Sequence, residues 1–371
     1  MKHYFLTLLI ITLPILSIAG YSNTIDTTHQ VKREVVLFDV SYKGDIMGNI
    51  CGGIKRSGTY LGYAQIGLGI DFEALNWWKG GMLYIKGGNT HGGTPSETFI
   101  GDSQIASNIE AGNHTFLQEL WFSQSFKNVE IKIGMQDYNA NYAVCEPSGM
   151  FLNSALGIHS SLSSNLKLPI FPIMGWACNI NWDIRDDMSW RVGVFDSPLD
   201  FEENPYNLHW KINSEKGVVL TTEYNYKTNI NNNLEGRYCI GFTYQTALRK
   251  WGVHLNAAQA VWKQNQHQLS LFAMYAICKG DERNYHNHLG AGITMEGVFS
   301  KHGRDALGLA FTTEFLECTH LYETTIELTY QYHIHENIFL QPDIQYVINP
   351  SGTGMPLKNA LVMALRVGID L

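Results

Sequence analysis

The feature that most constrains this chain is a strict alternation of apolar and polar residues near its C-terminal end. Between residues 322 and 333, alternate positions hold Tyr, Thr, Ile and Leu, and the positions between them hold Glu, Thr, Gln and His. Successive side chains of a β-strand point to opposite faces, so this pattern predicts a strand with one apolar and one polar face. The same alternation returns at 340–349 and 361–371.

Comparable segments recur along the whole chain and give about sixteen candidate strands. They begin near residues 35, 58, 80, 114, 129, 173, 187, 216, 235, 250, 267, 284, 304, 320, 338 and 359. Several have about ten residues or more, which is the length that a tilted strand needs to cross a bilayer. Three less strand-like stretches, 92–112, 147–172 and 198–215, are expected to be loops. The first two carry short apolar groups that suit a loop folded into the mouth or lumen of a barrel.

Composition excludes several classes of protein. Hydrophobic residues make up 45% of the chain, which is enough to form a large core, so a disordered chain is excluded. Acidic residues outnumber basic ones, 34 to 26, and no basic run occurs, which argues against a nucleic-acid-binding protein. Beyond residue 20 no stretch approaches ~18 consecutive apolar residues, so a helical membrane protein is excluded as well.

The remaining alternatives are a transmembrane β-barrel and an exported β-sandwich. In a soluble sandwich the apolar face points inward and the outer face is charged, but only 16% of the residues here are charged. Trp182, Trp190 and Trp262 lie near the ends of candidate strands, as in the aromatic girdles of membrane barrels. The pattern therefore predicts an all-β transmembrane antiparallel barrel of about sixteen strands, with apolar side chains toward lipid and polar ones toward a wet lumen.

The first nineteen residues have the layout of a secretory signal peptide. Lys2 supplies a basic start, an apolar stretch covers 5–18, and Ser17 and Ala19 place small residues around a cleavage site. A membrane anchor is the alternative, but it needs ~20 apolar residues, and this shorter stretch contains Pro14. We expect a signal peptide at 1–19 and one barrel domain at 20–371, located in the outer membrane of a Gram-negative-type bacterium.

The six cysteines, Cys51, Cys145, Cys178, Cys239, Cys278 and Cys318, are evenly spread and show neither a C-x-x-C pair nor metal-ligand spacing. Partial pairing and a role as small apolar fillers are both open, and fillers are favoured because Cys239 and Cys278 lie inside strand-like patterns. The pairs His286/His288 and His333/His335 share a strand face, but no third ligand accompanies them. No metal or other cofactor is therefore expected.

A series of short motifs follows the chain in a fixed order. They are Y-K-G-D at 42–45, G-N at 48–49, G-G at 52–53, D-F-E at 71–73, W-K-G-G at 78–81, I-G-D at 100–102, S-N-I-E-A at 107–111, E-L-W-F at 119–122, I-G-M-Q-D at 133–137, F-L-N-S at 151–154, R-D at 304–305, Y-E at 322–323, E-L at 327–328, Q-P-D-I-Q-Y at 341–346 and N-P at 349–350. In order and spacing they resemble the carbohydrate-selective outer-membrane porins, the OprB family.

This resemblance implies a sixteen-stranded barrel for passive diffusion of sugars, glucose-like ones above all, and of other small solutes. It implies no enzymatic activity, and the chain contains none of the motifs G-x-S-x-G, H-E-x-x-H or the P-loop. A non-conducting barrel that acts as an adhesin or structural protein is the alternative function. Both a monomer and a homotrimer are open. One departure from outer-membrane barrels is Leu371, which stands where a C-terminal aromatic is usual.

Alternation assigns a set of mostly charged side chains to the lumen, where they would replace the hydrogen bonds that a sugar loses with water. The set is Asp71, Glu119, Trp121, Lys132, Arg191, Glu223, Arg237, Glu296, Glu323, Glu327, Asp343 and Arg366. Any one of them can equally be a wall residue that contacts water and has no particular role in solute passage. Because position 327 is predicted to face water, we expect Glu327→Arg to leave folding intact and to change ion selectivity.

Glu119 and Trp121 form the most specific candidate pair for sugar recognition. They lie two apart on one strand, so they project to the same face about 6.5–7 Å apart. That spacing suits a pyranose that rests on the indole while a hydroxyl donates to the carboxylate. Alternatively, Glu119 pairs with a neighbouring lumen Arg and Trp121 only fills space at the wall.

Overall fold

The computed structural model describes residues 34–208, 215–231, 233–279, 285–300, 303–316, 320–355 and 357–371. The signal peptide expected at 1–19 lies outside the described residues. Within them, sixteen strands form one closed antiparallel barrel, in which each strand pairs with the next and the last with the first. The strands are β1 Val36–Cys51, β2 Ser57–Asp71, β3 Gly81–Gly92, β4 His114–Phe126, β5 Val129–Gln136, β6 Gly175–Arg185, β7 Met188–Asp196, β8 Val218–Ile230, β9 Leu234–Gln245, β10 Lys250–Gln264, β11 His267–Lys279, β12 Tyr285–Glu296, β13 Asp305–Leu316, β14 Leu321–His335, β15 Ile338–Ile348 and β16 Ala360–Asp370.

The alternation in the sequence corresponds to two faces of the barrel wall. On β14, Ile326 and Leu328 are 42% and 45% exposed on the outside. Between them Glu327 points inward and is fully buried. Since a closed barrel leaves no strand edge unpaired, its outside can be apolar throughout, as lipid requires. The predicted fold class and strand number are confirmed.

The two ends of the barrel differ in the length of their connections. At the end that holds the last described C-terminal residues, the connections are short, for example 127–128, 186–187, 265–266 and 336–337. The opposite end carries loop 93–113, loop 137–174 and loop 197–217. In outer-membrane barrels the short turns are periplasmic and the long loops extracellular, which orients this barrel.

Aromatic side chains project outward near both ends of the barrel. Toward the periplasmic end, Trp182 and Trp190 lie on neighbouring strands with ring centroids 6.4 Å apart, and Trp262 is 41% exposed. Toward the extracellular end, Tyr322 and Tyr346 are exposed on the outside. These rings form the two girdles predicted from the sequence, at the depth where amphipathic rings meet lipid headgroups.

Loop 93–113 and loop 137–174 fold into the barrel and contribute nearly half of its buried apolar residues. They contain three short α-helices, α1 Tyr138–Asn141, α2 Ser154–Gly157 and α3 Ser160–Leu166, together with a π-helical turn at Ser96–Ile100 and a 3-10 turn at Glu146–Met150. Among the described residues, no helix is long and apolar enough to cross a membrane. The prediction that these stretches fold inward is confirmed.

Three apolar clusters join these loops to the wall. Phe99 and Ile100 pack in one cluster with wall residues of β1, β2 and β16. Leu162 and Leu166 of α3 pack in a second cluster with Ala276 of β11. Phe151 packs in a third, with its ring centroid 5.7 Å from that of Phe272. The extracellular half of the lumen is therefore partly filled by protein.

The described cysteines, Cys51, Cys145, Cys178, Cys239 and Cys278, are all free. Three of these five are buried, and Cys178 is exposed on the outside of β6. Cys318 lies outside the described residues. The absence of a disulfide among the described cysteines agrees with the filler interpretation.

Candidate functional site: the barrel lumen

Glu323 of β14 holds loop 93–113 against the wall. Its carboxylate accepts hydrogen bonds from the backbone N–H groups of Ser103 and Gln104, each at 2.9 Å, and from Ser351 N–H at 2.7 Å. The amide of Gln104 returns a bond to the Glu323 carbonyl at 2.8 Å. A buried carboxylate needs such donors to offset its lost hydration, so loop and wall stabilise each other here.

Glu327, four residues further along β14, holds loop 137–174 against the wall in the same way. It accepts from the N–H groups of Leu152 at 2.6 Å and Asn153 at 3.1 Å. On the neighbouring strand, Gln341 donates to the Met150 carbonyl at 2.7 Å. Glu327 is fully buried against loop backbone, so the expectation that position 327 faces water is wrong, and the basis for expecting Glu327→Arg to be tolerated is removed.

Glu223 of β8 is the third wall carboxylate that binds loop backbone. It accepts from Ala143 N–H at 2.7 Å and lies 2.9 Å from Nε2 of His254 on β10. The guanidinium of Arg191 on β7 lies 3.6 Å away. A bond of 2.6 Å from Arg191 to the Asn141 carbonyl fastens the same part of the loop.

A second group of inward side chains is half exposed, in the periplasmic half of the lumen. Its centre is Trp121, whose Nε1 donates to Glu119 at 2.7 Å. The ring of Tyr84 on β3 stacks on the indole with centroids 5.1 Å apart. Lys132 on β5 places its Nζ 4.4 Å from the centroid of the indole. Since β3 and β5 flank β4, the phenol and the ammonium lie on opposite sides of the indole.

The wall beside this group carries a small polar cavity of about 100 Å³. It is lined by Glu130, Lys132, Asn141, Asn179, Asn181 and Arg191, among others. Arg237 of β9 forms an ion pair with Glu146 of loop 137–174, and both side chains are more than a third exposed. These groups present donors and acceptors of both signs to the water in the lumen.

A larger cavity, of about 410 Å³, lies at the periplasmic rim. Glu296, Arg304, Asp305, Gln331, His333 and Glu336 line it. Asp71, at the periplasmic end of β2, instead accepts from the N–H groups of Glu73 and Ala74 and caps that turn.

The loops carry several titratable groups with shifted pKa values. Burial and the nearby Asp102 carboxylate raise the pKa of Glu110 to about 8. Burial raises the pKa of Asp102 to about 6 and that of Asp137 to about 7. Burial, with His288 and His254 close by, lowers the pKa of His159 well below its usual value. At neutral pH Glu110 is therefore mainly protonated and His159 is neutral.

The side chains assigned to the lumen from the sequence all lie on the inner face of the wall or at its periplasmic rim, but they divide into two groups. Loops cover Glu223, Glu323, Glu327, Asp343 and Arg366, which are at most 3% exposed. Glu119, Trp121, Lys132, Arg191, Arg237 and Glu296 remain partly or fully exposed. A role of any of them in sugar passage stays a prediction.

Several inward residues were missed. Asp39 accepts from Tyr84 at 2.7 Å, and Asp45 pairs with Arg366. The alternation of Asp39, Ser41, Lys43 and Asp45 along β1 could have identified both aspartates. The sequence around Glu146 does not indicate that this residue reaches the lumen, because it belongs to a loop whose position depends on contacts with the wall.

Comparison with known proteins gives consistent matches over nearly the whole described barrel. The family described as carbohydrate-selective porin, OprB family, matches residues 55–249 and 246–371. Porin B of Pseudomonas aeruginosa is 22% identical over 405 aligned positions, which cover 89% of this chain and 86% of that protein. A putative porin, QuiX, of Acinetobacter baylyi is also 22% identical and covers 87% of this chain and 86% of its own.

Solved structures show the same fold. The high-pH structure of OprB from Pseudomonas putida superposes with a TM-score of 0.81 at 19% identity, covering 91% of this chain and 94% of the other. An anion-selective porin from Comamonas acidovorans superposes with a TM-score of 0.55 at 10% identity, covering 91% of this chain and 99% of the other. Together with the closed barrel and its polar lumen, these matches lead to one conclusion: this chain belongs to the OprB family of carbohydrate-selective porins and is a β-barrel of the outer membrane.

Proposed function

We propose that this porin admits glucose-like monosaccharides by passive diffusion, along the part of the wall that the loops leave exposed. The observation that carries the proposal is the half-exposed group around Trp121, which places an indole, a carboxylate and an ammonium on one stretch of inner wall. This stretch continues through the polar cavity beside Arg191. The outward apolar band contacts outer-membrane lipid in this proposal.

A sugar loses hydrogen bonds with water when it enters a narrow channel, and the wall must replace them. Glu119 and Lys132 supply charged acceptors and donors, which form stronger hydrogen bonds than neutral groups. Arg237 of the wall and Glu146 of loop 137–174 add a second pair of opposite charges. Because charges of opposite sign alternate along the wall, a neutral sugar can exchange its hydrogen bonds with one pair of residues for hydrogen bonds with the next pair.

Stacking on the indole of Trp121 needs one change in the arrangement. Tyr84 covers one side of the ring and Lys132 covers the other. A pyranose therefore reaches the indole when the flexible Lys132 side chain swings away, and the freed ammonium then has sugar hydroxyls within reach. The alternative in which Glu119 pairs with an Arg has less support, because Trp121 itself donates to that carboxylate.

The second candidate function is a non-conducting barrel with a structural or adhesive role. The observation that favours it is the amount of protein inside the lumen, where wall carboxylates and three apolar clusters hold the loops. Such anchoring is equally compatible with a channel narrowed to the size of a monosaccharide.

Liposome swelling separates these two functions. Proteoliposomes with the purified barrel are diluted into isotonic glucose, maltose or stachyose, and the initial swelling rates are compared with those of protein-free liposomes. We expect fast swelling in glucose, slower swelling in maltose and none in stachyose. Glucose entry no faster than in protein-free liposomes would exclude the channel and leave the structural role.

A further inference from the structure

Three neighbouring strands bring a carboxylate, a thiol and an imidazole together on the inner wall. Glu223 of β8, Cys239 of β9 and His254 of β10 each offer one ligand atom, and these atoms lie within 4.8 Å of one another. The three residues are 2%, 8% and 0% exposed. Nε2 of His254 lies 2.9 Å from a carboxylate oxygen of Glu223, so two of the donor atoms already converge.

Loop 137–174 places a fourth metal-binding type of side chain beside this group. His159, at the start of α3, is fully buried, and its ring centroid lies 5.6 Å from that of His254. Neither ring nitrogen of His159 makes a hydrogen bond among the described residues, and the same holds for Nδ1 of His254. Buried polar atoms normally have partners, so the two ring nitrogens of His159 are open to a ligand.

The donor set fits one metal better than others. Zn²⁺ binds Cys sulfur, His nitrogen and carboxylate oxygen in a tetrahedral arrangement. Soft sulfur and imidazole nitrogen disfavour Mg²⁺ and Ca²⁺, which prefer all-oxygen sites. With a thiolate and a carboxylate, Zn²⁺ forms a neutral cluster, which suits a site from which water is excluded.

We propose that Glu223, Cys239 and His254 form a zinc site, and that His159, which lies outside their 4.8 Å cluster, moves in to become the fourth ligand. Binding releases the thiol proton of Cys239 and replaces the hydrogen bond between His254 and Glu223 with two bonds to the metal. The site joins three wall strands to loop 137–174. Glu223 also lies 3.6 Å from Arg191, which borders the proposed sugar path, so the tests below measure metal binding and stability and not sugar passage.

Cobalt substitution provides a direct test. The full mature barrel is refolded from urea into detergent with Co²⁺ after removal of metal by a chelator, because a buried site fills most readily during folding. We expect one Co²⁺ per chain, a thiolate-to-cobalt charge-transfer band in the near ultraviolet, and loss of that band when Zn²⁺ is added. No band in the folded wild-type barrel would overturn the proposal.

Matched variants identify the sulfur. Cys239→Ser should abolish the charge-transfer band, whereas Cys278→Ser, which changes another buried wall cysteine, should keep it. His254→Gln should weaken Co²⁺ binding at least tenfold. Electrophoresis of unheated samples checks that each variant is folded. A band that persists in Cys239→Ser would contradict the assignment.

A measurement on the wild type alone covers the case in which a variant does not fold. The urea midpoint of unfolding is compared with Zn²⁺ and with a chelator, since a ligand that binds only the folded state raises stability. We expect a higher midpoint with Zn²⁺, and an unchanged midpoint would count against the site.

Discussion

Arg366 on the last strand and Asp45 on the first face each other across the pair of strands that closes the barrel. They are direct partners in the register of β16 and β1, and two hydrogen bonds of 2.7 and 2.8 Å join the guanidinium to the carboxylate. Arg366 also donates to the Asn108 side chain at 2.8 Å. The seam of the barrel and the position of loop 93–113 therefore depend on the same two charges.

Loss of one partner of this buried pair should be costly. Arg366→Met leaves the buried Asp45 without its partner, and we expect the free energy of unfolding to fall by about 3–5 kcal/mol. Urea unfolding of the detergent-solubilised barrel measures it. The control is Arg237→Met, whose pair with Glu146 is partly exposed and should cost about 1 kcal/mol or less. Equal losses of stability in the two variants would show that the buried pair stabilises the barrel no more than the exposed pair does.

The lipid-facing side of β14 gives a second prediction. Leu328→Arg places a charge in the middle of the apolar band and should destabilise the barrel in bilayers by roughly 2–4 kcal/mol. Ile334→Arg, on the outside near the periplasmic end, should cost only about 0–1 kcal/mol, because the penalty falls near the interface. Equilibrium unfolding in lipid vesicles compares the two, and a larger effect at position 334 would refute the face assignment.

Reversal of charge at a loop anchor should open the channel. Glu327→Arg turns a positive group toward the N–H donors of Leu152 and Asn153, so loop 137–174 should leave its place in the lumen. We expect higher single-channel salt conductance in planar bilayers. Glu296→Arg, at the periplasmic rim away from the loops, should shift ion selectivity and leave conductance nearly unchanged. Unchanged conductance in Glu327→Arg would mean that the other contacts of the loop, such as those of Gln341 and Glu223, hold it in place without Glu327.

The sugar path can be tested at Trp121. Trp121→Ala should weaken the block of ion current by glucose much more than it changes the salt conductance, since stacking is lost while the lumen widens only locally. Lys132→Met should also weaken the block, because the ammonium that donates to sugar hydroxyls is lost. Sugar block that is identical in wild type and Trp121→Ala would make this residue part of the wall only.

The docking of loop 93–113 should depend on pH through Glu110. Its pKa is raised from 4.5 to about 8 in the folded protein, so the docked loop holds this proton more tightly than the undocked loop does. The contribution of Glu110 to the stability of the docked loop is therefore fully present below its ordinary pKa of 4.5. It is lost as the pH rises through the raised pKa of about 8. We expect salt conductance to increase as the pH rises through about 8. Glu110→Gln should abolish the step, and a step that survives would assign it to another group.

Strand positions could be predicted closely from alternation and turn residues. β4, β5, β10, β11 and β15 begin at the predicted residue, and every other strand begins within two residues of its prediction. Alternation also predicted that Glu327 points inward and Leu328 outward. These features are local, because they depend on the two faces of one strand.

What fills the lumen could not be predicted in the same way. Glu327 and Lys132 have the same alternation in the sequence, but one is buried under Leu152 while the other remains half exposed. The difference arises from loop residues that are distant along the chain. The group of Glu223, Cys239 and His254 was missed for the same reason, since strand pairing, not sequence spacing, brings its members together.

The polar docking of the loops uses their backbone N–H groups, which donate hydrogen bonds to Glu323, Glu327 and Glu223. Any amino acid except proline carries such a group, so these contacts specify the path of a loop without specifying its side chains. Mutations in 93–113 and 137–174 can then alter the lining of the channel while the wall continues to hold the loops in place. A barrel built this way can acquire a new solute preference in few steps, with no change to the strands that keep it folded.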